Sequence, residues 1–366
     1  MDKGIYNLSV FLKRGVSEGI YPGGVLLVAH RGIPVFFEAV GHRTLTPRPR
    51  PVHKDTVFDL ASLTKPLATT LALMKLVDSG NIALDQPLQT LLPVPVPEDK
   101  QEIPLRALLS HCAGFEPWRP FYRNAAPPSV TDKKAWVRKQ VLDIPLQYPP
   151  LSASLYSDLG FMVLEWVIEA RSGTLLPDFL HDHFLGPLSL EDIFFRHIHG
   201  PSPFGAARFA ATEECPWRNR VMQGMVHDEN AYFVGGYSGH AGLFGTAEAV
   251  YALVNLLRQH YGGERDDFFA PRTVKTFFSR QKLVRGSTWA LGWDTPSESG
   301  SSSGRHFSKE TVGHLGFTGT SIWMDLVRDV MVIFLTNRIH PTRKNEKIRQ
   351  FRPLLHDRVM EALALG

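Results

Sequence analysis

Phe58-Asp59-Leu60-Ala61-Ser62-Leu63-Thr64-Lys65-Pro66 is the stretch on which the reading of this chain turns. It ends an irregular, proline-rich segment and opens an apolar run, Leu67 to Val77, closed by Gly80. A run that is apolar on nearly all faces predicts a helix inside a large core rather than at a surface, with Gly80 as its stop. Pro66 fits only in the first turn, where its missing N–H breaks no ladder bond, so the helix is predicted to start near Ser62. Ser62 then sits beside unpaired backbone N–H groups and the positive end of the helix dipole. Lys65, three residues on, shares a face with it. A serine hydroxyl is a poor nucleophile until its proton is taken, and a lysine in a desolvated pocket can lose its own near neutral pH. Ser62 and Lys65 are therefore a candidate nucleophile and base. Ser-x-x-Lys arises often at solvated helix starts; a lysine heading an apolar helix is the unusual feature.

Outward toward the N-terminus, residues 44–55 alternate prolines with arginines and read as an extended loop. Before it, Val25 to Ala29 and Val35 to Val40 predict two strands about a turn near Arg31-Gly32. Ile5, Leu8, Leu12 and Val16 recur at helical spacing and predict a first helix over 4–19. Outward toward the C-terminus, helices are expected at 105–110, 131–142, 158–170 and 247–260, the last with Thr246 as N-cap. Gly235 to Gly245 holds five glycines without dinucleotide-loop spacing and reads as a tight cleft wall. In the last third, strands are expected at 289–294, 307–309, 311–317, 320–325 and 330–335, with Ser297 to Gly304 as a flexible hairpin tip and a closing helix over 345–364. Val330 to Leu335 is apolar without alternation, as for a strand covered on both faces.

Strands at both ends and helices between them predict an α+β fold. Residues 1–75 and 246–366 would form a lobe with an antiparallel sheet flanked by the terminal helices. Residues 76–245 would form a mostly helical lobe, with a small-molecule cleft between the two.

The chain has 366 residues, 43% hydrophobic and 21% charged, with a net charge of +4. That small, dispersed excess argues against nucleic-acid or membrane partners. Two cysteines, Cys112 and Cys215, make no disulfide framework and are expected as reduced thiols. No apolar run is long enough to span a bilayer, and the first residues lack the pattern of a signal peptide, so a cytoplasmic protein is expected. His181/His183 and His197/His199 lack a carboxylate or cysteine set around them and are read as surface histidines; neither a metal nor a cofactor is expected. Trp118, Trp217, Trp289 and Trp323 are read as core or cleft wall.

Three further stretches join Ser62 and Lys65: Leu155-Tyr156-Ser157-Asp158-Leu159-Gly160, Gly313-His314-Leu315-Gly316-Phe317-Thr318-Gly319-Thr320, and Gly239-His240-Ala241-Gly242. With these the chain resembles the serine β-lactamase and penicillin-binding-protein superfamily, closest to its class C-like branch of DD-peptidases, D-aminopeptidases and esterases. Ser62-Leu63-Thr64-Lys65 matches the Ser-x-x-Lys element. Tyr156-Ser157-Asp158 matches Tyr-x-Asn with Asp for Asn, and His314-Leu315-Gly316 takes the place of Lys-Thr-Gly. Val226 to Ala231, with the glycines after it, resembles a subgroup of serine hydrolases. The resemblance implies an acyl-enzyme on Ser62, proton transfer through Lys65 and Tyr156, and an oxyanion hole from the N–H groups of Ser62 and Phe317. It implies that His314 lines the site and either orients Tyr156 or binds a substrate carboxylate.

Histidine lacks the permanent charge of the lysine it replaces, which favours ester-like substrates over a β-lactam or D-alanyl peptide. Asp158 either helps keep Lys65 charged or caps the next helix. His240 either reaches the cleft or packs in the scaffold. The function expected is a serine hydrolase acting on a small ester, amide or peptide. The alternatives are β-lactamase, D-Ala-D-Ala carboxypeptidase or D-aminopeptidase action and, from another class, a catalytically silent binding or regulatory protein.

Overall fold

Two aliphatic runs from opposite ends of the chain pair to form the middle of the molecule. In the computed structural model, which describes residues 3–123, 127 and 129–366, the first run is β1 (Gly23–His30), followed by β2 (Ile33–Thr44) and the short β3 (Arg50–Pro51). The middle of the chain supplies β4 (Phe58–Asp59), β5 (Ile193–Phe195), β6 (Ala211–Cys215), β7 (Arg220–Gln223) and β8 (Leu243–Gly245). The last third supplies β9 (Val312–Leu315), β10 (Ser321–Asp325) and β11 (Val330–Thr336). An antiparallel six-stranded sheet of order β3-β2-β1-β11-β10-β9 joins the two ends, with Val25 opposite Leu335 and Val28 opposite Val332.

Both faces of this sheet are covered, and the side chains sort between them with period two. Leu26, Val28, Val332 and Phe334 pack with Leu8, Leu12, Phe351 and Leu355 of the terminal helices Lys3–Ser17 and Ile348–Ala362. Val25, Leu27, Met331 and Ile333 face the other way, toward Leu71, Leu164 and Leu253. This double burial is why β11 carries no polar residue on either face before Thr336. No helix among the described residues is long and apolar enough to cross a membrane.

The α+β class holds, and several details differ from expectation. Trp289–Asp294 makes only an isolated bridge, and residues 307–309 form no strand. The stretch 297–304 therefore links no hairpin. A further helix, Pro271–Phe278, starts on Pro271 and buries Val274, Phe277 and Phe278. Residues 76–245 carry the helices Val130–Asp143 and Asp158–Ser172 and, after them, the short strands β5 to β8.

The segment that opens the site begins as a 3₁₀ turn, Ala61–Leu63. It passes through a π-helical stretch, Lys65–Thr70, and continues as α-helix over Leu71–Asp78, with Pro66 in the first turn. Such irregular turns recur at functional positions in helices.

Candidate active site

Asp59 fixes the turn that presents Ser62. Its carboxylate accepts the N–H of Ala61 at 2.9 Å and of His227 at 2.6 Å. The hydroxyls of Thr318 and Thr320 donate to the carbonyls of Asp59 and Leu60 at 2.8 and 3.1 Å. Held from both sides, the chain turns at Ala61 with φ of 49°. This left-handed region costs a non-glycine residue about 1 kcal/mol or more. Gly316 permits the close approach of the turn after β9: a Cβ there would lie 2.7 Å from the Leu60 carbonyl oxygen. Gly316 thus shapes the site through the backbone and does not itself line the cavity described below.

Lys65 is fully buried. Its Nζ donates to Ser62 Oγ at 3.2 Å, to Asp158 Oδ1 at 2.7 Å and to the His240 carbonyl at 3.3 Å. Burial pulls the Lys65 pKa down, but the Asp158 carboxylate, with Tyr156, outweighs it and holds the group above its ordinary value. Lys65 therefore rests as an ammonium, contrary to the expectation that desolvation frees it of its proton. The cap reading of Asp158 is corrected as well: the N-cap of the Asp158–Ser172 helix is Ser157, whose Oγ accepts from the Gly160 N–H at 3.2 Å. Asp158 is left free to pair with Lys65.

The Tyr156 ring centroid lies 4.7 Å from Lys65 Nζ. Burial raises the phenol's pKa, and the Lys65 charge and hydrogen bonds with Lys65 and Ser62 do not fully offset it. The phenol rests protonated. His111, Trp289 and His314 pack around the Tyr156 ring at centroid distances of 4.7, 5.8 and 6.0 Å. His314 donates from Nδ1 to the Leu315 carbonyl at 2.8 Å, and burial, with the Lys65 charge, drives its pKa down to about 3. It is neutral and lies outside the residues that line the cavity. The carboxylate-binding alternative for His314 is thereby corrected: it offers a substrate no charge, and it packs against Tyr156.

Ser62, Tyr156 and Asp158 open into a cavity of about 300 Å³, the lower end of the range for small-molecule sites. The rest of its wall comes from Ala61, Trp118, His227, Asp228, Glu229, His240, Ala241, Phe317 and Arg343. His240 is among the residues lining the cavity, and its side chain is almost fully buried. Its Nε2 meets Asp228 Oδ1 at 3.0 Å. Burial lowers the His240 pKa, but Asp228 raises it further, for a net upward shift. Phe317 is half exposed, its ring stacked on His227 at 5.6 Å. Arg343 is held by the carboxylates of Glu213 and Glu229, the latter at 2.6 Å.

Asp158, Asp228 and His240 bring one donor atom each within 4.8 Å of one another. All three already have partners, Lys65 on Asp158 and each other for the remaining pair. The four histidines of the two His-x-His pairs are exposed. Sequence reasoning missed His227, Asp228 and Glu229 as cavity residues, although their stretch had been singled out. Trp118, read as core or cleft wall, lines the cavity; Arg343 carried no signal.

This architecture is that of a known class. The beta-lactamase family profile matches residues 11–356, and the chain belongs to the beta-lactamase family. It is a serine hydrolase of that family. A sequence relative from Salmonella gallinarum (strain 287/91 / NCTC 13346), named "Putative D-alanyl-D-alanine carboxypeptidase", is 29% identical, the match covering 94% of this chain and 85% of the relative. Among solved structures, "EstCE1, a hydrolase with promiscuous acyltransferase activity" superposes with a TM-score of 0.73 at 21% identity, covering 96% of this chain and 99% of that one. SurE superposes with a TM-score of 0.72 at 24% identity, covering 98% of this chain and 76% of that one.

Proposed function

We propose that this chain hydrolyses small uncharged esters and amides through an acyl-enzyme on Ser62. The observation that carries the proposal is that Ser62 and Tyr156 line one cavity while the buried Lys65 amine behind them donates to Ser62 Oγ at 3.2 Å and lies 4.7 Å from the Tyr156 ring. Ser62 Oγ attacks the substrate carbonyl, and the N–H groups of Ser62 and Phe317 receive the developing negative charge. The serine proton passes to Lys65 or Tyr156 and returns to the leaving group, and water then releases the acyl group.

The cavity's charges favour a neutral substrate. Its guanidinium, Arg343, is already neutralised by Glu213 and Glu229, and His314 supplies no charge. A substrate held by its carboxylate, as a D-alanyl-D-alanine peptide is, finds no unengaged cation among these groups. Turnover of p-nitrophenyl acetate is the expected result, with little or no release of D-alanine from a D-Ala-D-Ala peptide and slow or no hydrolysis of nitrocefin. Rapid D-alanine release would favour the activity in the Salmonella relative's name. A protein that stays inert and unlabelled by a fluorophosphonate would favour the silent, binding-protein reading.

Because Lys65 and Tyr156 both rest protonated, turnover waits for one of them to lose a proton. Asp158 raises the pKa of each. Asp158→Asn removes that upward push, so either base is freed at lower pH. The acidic limb of the kcat/KM profile is expected to move to lower pH, with a gain of about tenfold at pH 6 for each unit moved. A limb that stays or moves upward would mean that Asp158 does not set the resting charge of the base.

A further inference from the structure

Trp118 is 42% exposed and Trp217 46% exposed. Single exposed aromatics are common on protein surfaces, but these two belong to a connected row. The Trp118 ring lies 6.5 Å from Tyr122, and Tyr122 lies 4.6 Å from Trp217. Trp217 sits in the turn between β6 and β7 and meets Tyr232 edge-on at 5.9 Å. The row starts at the Ser62 cavity, because Trp118 is part of its wall.

Arg218 fastens the far end of the row to the same wall. Its guanidinium lies 4.9 Å from the Trp217 ring and 4.3 Å from the Tyr232 ring, and it donates to the carbonyls of His227 and Asp228 at 3.0 and 3.2 Å. Both of those residues line the cavity. The aromatic row is therefore held in register with the reacting centre.

The cavity, of about 300 Å³, lies at the lower end of the range for small-molecule sites. A substituent that extends past Trp118 meets the row. We propose that the Trp118–Tyr122–Trp217 ridge is a binding subsite for the apolar end of the substrate, an alkyl or aryl group carried by the ester that Ser62 opens. The proposal rests on the esterase reading above and names the substrate class. Large, stiff rings bury apolar area with little conformational cost, and a half-exposed tryptophan gains by being covered.

Binding to the Ser62→Ala protein tests the ridge without requiring turnover. Three ligands are titrated calorimetrically: ethyl acetate, ethyl octanoate and octyl acetate. Ethyl octanoate places the chain on the acyl side and octyl acetate on the alcohol side. At least one of the long esters is expected to bind about tenfold more tightly than ethyl acetate or better. Trp217→Ala, made in the same background, is expected to remove most of that gain while leaving ethyl acetate binding unchanged; Trp118→Ala, at the cavity wall, is expected to remove the gain and to weaken ethyl acetate as well. Equal affinities for all three esters would overturn the proposal, as would a gain that survives both substitutions. p-Nitrophenyl acetate turnover by the native protein reports separately on the serine reading, so the failure of one is distinguishable from the failure of the other.

Discussion

Ser62→Ala is expected to lower ester turnover by about 10⁶-fold, as loss of the nucleophile does in serine enzymes generally. The fold should survive. The Ser62 hydroxyl accepts from Lys65, and loss of such a contact costs about 1 kcal/mol. The turn itself is held through Asp59, Thr318 and Thr320 rather than through the Ser62 side chain. Circular dichroism and the urea midpoint should therefore match the native protein while steady-state turnover vanishes. Turnover that persists in a folded variant would place the nucleophile elsewhere.

Lys65→Met is expected to damage both activity and stability, for different reasons. Loss of the amine removes a proton-transfer group and a charge beside the reacting centre, a loss of about 10²–10⁴-fold. The same change strands Asp158, whose carboxylate then faces a largely dry wall without its partner. Removing one member of a buried pair costs about 3–5 kcal/mol, with the lower part of that range expected because the Asp158 side chain keeps 17% exposure. The double variant Lys65→Met/Asp158→Asn separates the two effects: stability should largely return, since neither charge is left unpaired, while activity should not. Urea titration and p-nitrophenyl acetate kinetics on the same samples give both readings. Activity that recovered with stability would mean that Lys65 serves only to hold the structure together.

The contrast between what the residues disclosed and what they withheld has physical causes. Ser62 and Lys65 are three apart at a helix start, so their proximity follows from helix geometry alone. Strands β1 and β11 announce themselves by composition, because both faces are buried. Strands β5 to β8 are three to five residues long and too short for a period to emerge. Ser157 and Asp158 are both good helix caps. Which of them caps was decided by Lys65, 93 positions earlier in the chain, drawing Asp158 to itself. The same ion pair keeps Lys65 charged, since desolvation favours neutral lysine only where no carboxylate stands 2.7 Å away.

The cavity wall was the least legible part. Arg343 reaches Glu213 and Glu229 across 130 and 114 positions of sequence, and Trp118 comes from a proline-rich loop with no periodic signal. Resemblance placed His314 near Tyr156. Its burial against Tyr156 and Trp289 makes it a neutral neighbour rather than a charged wall. These features bear on which substrates enter, and they arise from packing among distant segments.

The most direct test is to mix the native protein with p-nitrophenyl acetate, quench in acid within the first turnovers and map the peptides by mass spectrometry. One added acetyl group, carried by the peptide that contains Ser62 and located on that residue, is the expected result. An acetyl group on any other side chain, or full turnover with no covalent adduct under conditions that trap one in a related serine hydrolase, would contradict it.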